Sequence, residues 1–105
     1  MLNAETGWTL AEFTVASEPG NERLAIARVM EAVDVLLLPE LRRAQLTTAV
    51  GEAVQNAIEH GNESQPELPV AVKLTLTGKT LAVRVTDQGQ GGAIIRREMP
   101  DLKAK

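Results

Sequence analysis

The sequence contains no cysteine and no tyrosine, and its only aromatic side chains are Trp8 and Phe13. Without cysteine there is neither a disulfide framework nor a thiolate metal site. With two rings, the core must be assembled from Leu, Val, Ile and Ala, and single-strand nucleic-acid binding by base stacking is excluded because it needs several exposed rings. A basic run is also missing. The 11 Lys and Arg are scattered among 14 Asp and Glu, for a net charge of −3, which argues against a phosphate-backbone footprint or a polybasic membrane patch. No apolar run approaches the length of a membrane span, and Met1 onward lacks the basic start and apolar stretch of a signal peptide. These absences predict a soluble cytoplasmic protein with no direct nucleic-acid partner and no membrane partner. At 105 residues the chain is expected to form one domain, residues 1–105, with a small margin of core.

What is present alternates between the two periodicities of regular structure. Trp8 to Val15 reads as a first strand at a sheet edge, with Thr9, Ala11, Phe13 and Val15 on one side. Ser17-Glu18-Pro19-Gly20-Asn21 is a turn whose Asn21 can cap the following helix. That helix is predicted from Glu22 to about Leu38, with Ile26, Met30, Val33 and Leu37 at helical spacing. Pro39 stops it and can open a second helix, Glu40 to His60, which Gly61-Asn62 ends. A polar loop, Glu63 to Pro69, leads to two alternating stretches, Val70 to Leu76 and Leu81 to Val85. Between them Gly78-Lys79 suits a two-residue hairpin turn with glycine first. Thr77-Gly78-Lys79-Thr80 is not a phosphate-binding loop, because Lys73 stands where the motif needs its first glycine and a strand follows where it needs a helix. Beyond the hairpin, Ile95, Met99 and Leu102 are spaced for one face of a short last helix.

The second helix carries the chemistry. Leu46, Val50, Ala53, Val54 and Ala57 form an apolar stripe, while Gln45, Glu52, Asn56, Glu59 and His60 fall on the opposite side. Glu52 and Asn56 are an i, i+4 pair and project side by side. Such a pair could orient a water or polarise a hydroxyl through Glu52 while Asn56 offers its carbonyl to a hard cation. A solvated helix face would look the same. Downstream, Asp87-Gln88-Gly89-Gln90-Gly91 puts a carboxylate and a glycine cluster at a strand end, where backbone can approach a ligand closely. Alone it reads equally as an ordinary Asp-x-Gly turn. It is not the dinucleotide fingerprint, whose third glycine would fall at Ile94.

Taken together, Glu52-Ala53-Val54-Gln55-Asn56-Ala57-Ile58-Glu59-His60-Gly61, a hairpin, and Asp87-Gln88-Gly89-Gln90-Gly91 resemble the GHKL (Bergerat-fold) ATPases. The nearest branch is the bacterial anti-sigma factor serine/threonine protein kinases, and the likeness covers residues 8 to 91. The resemblance implies ATP and Mg2+ as cofactors. It implies that Glu52 is the general base, Asn56 the magnesium ligand that bridges to the phosphates, and Asp87 the acid that reads the adenine amino group. Gly89 and Gly91 would form the loop on which the nucleotide lies, and His60 would have only a capping or packing part. The implied partners are a sigma factor and an anti-sigma antagonist, the latter phosphorylated on serine.

The departure from the family lies after Gly91, where fourteen residues stand in place of a lid, a second glycine motif and closing strands. Either the chain is cut short there, or Gly89 to Met99 merges both glycine motifs with the lid deleted. Both leave a sheet without closing strands, which predicts a homodimer. The fold expected is α+β: a Bergerat-type, truncated two-layer sandwich whose small mixed or antiparallel sheet, of about three strands, carries helices on one face. The function expected is a protein serine/threonine kinase of the anti-sigma type. A non-catalytic interaction module of the same fold is the alternative, and an unrelated α+β scaffold a third reading.

Overall fold

A computed structural model of the protein describes residues 2–3, 7–89 and 92–98. Five strands form one sheet: β1 (Leu2–Asn3), β2 (Gly7–Ala16), β3 (Pro69–Thr77), β4 (Thr80–Thr86) and β5 (Gly92–Glu98). They lie in sequence order, and every neighbouring pair is antiparallel. Two helices, α1 (Glu22–Val33) and α2 (Glu40–Asn56), connect β2 to β3 and cover one face of the sheet. The architecture is α+β, as expected, and the sheet is antiparallel throughout.

The core follows from the alternation. Phe13 and Val15 of β2, Val70, Val72 and Leu74 of β3, and Leu81, Val83 and Val85 of β4 turn to the helices. Ala25, Val29 and Val33 of α1 and Leu46, Val50 and Val54 of α2 meet them in one cluster. The intervening positions Glu12, Lys73 and Arg84 stand in register across the three strands and are exposed on the other face. Full burial of such a Val or Leu contributes about 1.5–3 kcal/mol, so this face alone fixes which way each strand turns. Gly51 sits where α1 and α2 approach closely: a Cβ there would stand 3.1 Å from Ile26 Cδ1. The Gly78-Lys79 turn forms as predicted, with Gly78 at φ 61° and Thr77 paired to Thr80.

The structure corrects several sequence-based expectations. The segment after the glycine cluster is not a helix: Gly92–Glu98 runs as β5 along the whole of β4. Apolar spacing over so short a stretch does not separate helix from strand, and the free edge of β4 offers a row of backbone partners. That edge is therefore paired, contrary to the expectation that no strand closes the sheet. Strand β2 is covered by β1 only at Gly7 and Trp8, and among the described residues it forms the sheet edge from Thr9 to Ala16, as expected. A bulge between Thr9 and Ala11 shifts its register, so Thr9 lies opposite Thr75 and leaves the side shared by Phe13 and Val15.

Helix α1 stops at Val33 and passes through a tight turn, Asp34–Leu36, before Leu37 enters the left-handed region at φ 54°. Leu37 is 75% exposed, and Leu38 takes the buried position instead. Asn21 does not cap α1: its Nδ2 donates back to Ala16 O at 2.9 Å.

Candidate functional site

Helix α2 presents its apolar stripe to the sheet, and Leu46, Val50 and Val54 are buried as the 3.6-residue period requires. Glu52 and Asn56 consequently lie exposed on the outer side, one turn apart. An open depression of about 540 Å³ runs along that side; among the described residues it is lined by Arg42, Ala44, Gln45, Thr48, Ala49 and Glu52. It reaches Glu52 from the entrance of the helix, and neither Asn56 nor Asp87 lines it. His60 is exposed. Gln55 Nε2 donates to Glu59 Oε2 at 3.2 Å on the same outer surface.

Immediately after Asn56 the helix widens. Ala57–Gly61 forms a π turn, with Asn62 N–H donating to Ala57 O at 2.8 Å. Such turns occur often beside functional sites. The widening keeps Ala57 and Ile58 buried while carrying Gly61 and Asn62 to the end of β4. There the chain is interlocked. A Cβ on Gly61 would overlap the Asp87 carboxylate, and a Cβ on Gly89 would overlap the Gly61 carbonyl oxygen. Both glycines thus have a packing reason inside the protein, independent of any ligand. Gly61 was expected to end the helix; what requires glycine is the carboxylate lying against it. Asp87 Oδ1 accepts from Gly89 N–H at 2.9 Å, which closes the Asp-x-Gly turn.

Sequence reasoning missed two residues here. Asn62 and Ser17 are 1% and 0% exposed, the buried polar side chains among the described residues. Asn62 Oδ1 accepts from Gln88 N–H at 2.7 Å, and its Nδ2 faces Ser17 Oγ at 2.9 Å, Pro69 O at 3.1 Å and Leu68 O at 3.3 Å. Ser17 Oγ donates to Leu68 O at 2.6 Å. Four segments meet at this amide: the ends of β2, α2 and β4 and the start of β3. The one available signal was an asparagine beyond a helix end, a pattern shared with ordinary caps.

The structure thus brings the Asn56 end of α2 and the Asp87–Gly89 turn together, with Glu52 one turn further back. Gly91 lies outside the described residues. The donor set suits a magnesium nucleotide. Magnesium keeps most of its waters and takes one or two protein oxygens beside phosphates, which Asn56 can supply from an exposed side chain. No group of three His, Cys, Asp or Glu that could hold a metal by itself occurs among the described residues. Asp87 is half-buried.

Fold and site together define a class: an α+β domain in which the end of the second helix packs, through Gly61, against a strand-end Asp-x-Gly turn. Residues 15–104 match the histidine kinase-like ATPase domain family. The chain belongs to that family. Similar proteins include the anti-sigma F factors of Thermoanaerobacter sp. (strain X514) and Thermoanaerobacter pseudethanolicus (strain ATCC 33223 / 39E). Each is 32% identical over 94 residues, covering 89% of this chain and 64% of the relative. The anti-sigma F factor of Anoxybacillus flavithermus (strain DSM 21510 / WK1) is 35% identical over 69 residues, 66% of this chain and 45% of that protein. The chain therefore spans under two thirds of the length of these relatives. No helix among the described residues is long and apolar enough to cross a membrane.

Proposed function

We propose that this chain is a magnesium-ATP-binding regulatory module of the anti-sigma type that phosphorylates a serine of an antagonist protein, with a sigma factor as its second partner. One observation carries the reading. The helix end that follows Asn56 and the Asp87–Gly89 turn are packed against each other through Gly61, while Glu52 and Asn56 stand exposed one turn apart on that same helix. The likeness to anti-sigma F factors supports the choice of partners.

In this reading Asn56 offers its side-chain oxygen to the metal, and Asp87 accepts a hydrogen bond from the exocyclic amine of adenine. Gly89 and Gly91 give the nucleotide access to backbone. Glu52 takes the proton of the target hydroxyl. Magnesium-ATP, when bound, supplies the phosphoryl group and neutralises part of its charge. The open depression leading to Glu52 gives a protein substrate an approach to that carboxylate without crossing the Asp87 turn. Self-association belongs to the same proposal. It is supported by the outer edge of β2, where among the described residues Thr9 to Ala16 has no strand partner.

Calorimetric titration of magnesium-ATP, followed by transfer of labelled phosphate to the antagonist, tests the reading. Saturable, magnesium-dependent binding followed by transfer is the expected result. Binding without transfer would make the chain a non-catalytic interaction module, and absence of binding would overturn the site. Light scattering over a concentration series checks the dimer.

A further inference from the structure

The buried network at the end of α2 is more elaborate than a helix terminus requires. A helix can end on one glycine and solvent. Here a single amide, wholly enclosed, uses its oxygen on Gln88 N–H at 2.7 Å and its nitrogen on Ser17 and the carbonyls of Leu68 and Pro69. Gln88 is the residue between Asp87 and Gly89. Its exposed side chain reaches Pro69 O at 3.5 Å, and the bond from Asn62 is to its backbone N–H. From the other side Asp87 Oδ1 holds Gly89 N–H at 2.9 Å. The turn is thus fastened at two successive amides, one from within and one from Asn62. Gly61, the residue before Asn62, sets how close the Asp87 carboxylate can lie to the helix.

We infer that Asn62 is the positioning residue of the candidate site. It fixes the Asp87–Gly89 turn relative to the Asn56 end of α2, and so holds the base-reading carboxylate at a set distance from the phosphate side. The inference rests on the nucleotide-site reading above. Asn62 touches no nucleotide and acts through Gln88. An amide suits the position because one side chain must accept on one side and donate on the other, and the carboxamide of Asn does both with fixed geometry. Ser17 belongs to the same network through Leu68 O and the Asn62 amide nitrogen, and it makes no hydrogen bond to the turn itself.

That difference provides the control. Asn62→Ala and Ser17→Ala each remove one buried polar side chain and should both lower the melting temperature. Only Asn62→Ala should also weaken magnesium-ATP binding, by about tenfold, and move the ATP-to-GTP affinity ratio toward one. Amide hydrogen exchange on the nucleotide-free protein should show Gln88 and Gly89 opening about tenfold faster in Asn62→Ala, with Ser17→Ala within about twofold of the parent. Should Asn62→Ala fail to fold, Asn62→Ser keeps a buried hydroxyl that is too short to span to Gln88, and the same comparison applies.

Equal effects of the Asn62 and Ser17 substitutions on the affinity ratio, or none from either, would overturn the inference and leave a network that is only structural. If the parent protein itself binds no ATP, the site reading fails independently. In that case, faster exchange confined to Gln88 and Gly89 still supports Asn62 as the residue that holds the turn, and a uniform rise overturns it.

Discussion

At its entrance, helix α2 is fastened to the tight turn that follows α1 by a surface ion pair, Arg43 Nη1 to Asp34 Oδ1 at 2.9 Å, with side chains 37% and 64% exposed. At its exit it is fastened by the enclosed amide of Asn62 and by the contact of Gly61 with Asp87. The entrance is loosely finished: Val35, Leu37 and Leu41 are 78%, 75% and 69% exposed, and Leu37 takes a left-handed backbone that glycine adopts more readily. The exit leaves no room for a single added carbon. An exposed pair contributes about 0–1 kcal/mol, whereas a buried polar group deprived of its partner costs about 1–3 kcal/mol. The surface groups at the entrance therefore hold the helix weakly compared with the enclosed contacts that join its exit to the Asp87 turn. Asn56 lies just before the rigid end, so the two halves of the candidate site form one unit.

The sharpest test separates function from stability on the exposed side of that helix. Glu52→Gln should remove about 100-fold or more of any phosphoryl-transfer rate, measured by label incorporation into the antagonist. Its unfolding free energy in urea should stay within about 0.5 kcal/mol of the parent, because the side chain is exposed. A matching fall in stability would mean that Glu52 belongs to the packing.

Gly61→Ala probes the rigid end directly. The new methyl must displace the Asp87 carboxylate, and overpacking of this kind costs about 1–3 kcal/mol in urea unfolding. The comparison between the ends breaks if Leu41→Ala at the entrance costs as much. Base preference should fall in a similar range. An adenine amine satisfies the Asp87 carboxylate, whereas guanine sets a second acceptor against it, so ATP should bind more tightly than GTP by about 1–3 kcal/mol. Equal affinities in competition titrations would remove Asp87 from that role.

Asn56→Ala should weaken the magnesium-dependent part of nucleotide binding by about 1 kcal/mol and leave the unfolding curve in place. The smallest effect belongs to the entrance. Asp34→Ala should lower stability by less than about 1 kcal/mol, and the loss should shrink further in high salt because the pair is screened. A larger, salt-independent loss would show the entrance to be as tightly built as the exit.

The elements that could be read in advance are those governed by local period. The apolar stripe of α2, the exposure of Glu52 and Asn56, and the hairpin around Gly78 each follow from side-chain spacing and from one residue with positive φ. Boundaries were less legible. Ile26, Met30, Val33 and Leu37 suggested a helix running to Leu38, yet the chain turns at Asp34 because Leu38, not Leu37, can reach the core. Helix and strand were confused after the glycine cluster, where a few apolar residues carry no reliable period and the free edge of β4 decided for β5.

By itself the sequence determined the core faces of α2 and of the hairpin strands, where the two candidate halves lie along the chain, and that one of them is an exposed Glu–Asn pair on a helix. Helical and strand periods are properties of neighbours a few residues apart, and the chain carries them without any tertiary contact. Only the tertiary structure decided how the halves meet. The contact of Gly61 with Asp87 joins residues 26 positions apart, and the bond from Asn62 to Ser17 spans 45. Nothing local distinguishes a glycine that ends a helix from one that must admit a carboxylate. Nor does anything local mark an asparagine whose amide will be enclosed among four segments, since that requirement exists only once the segments have packed around it.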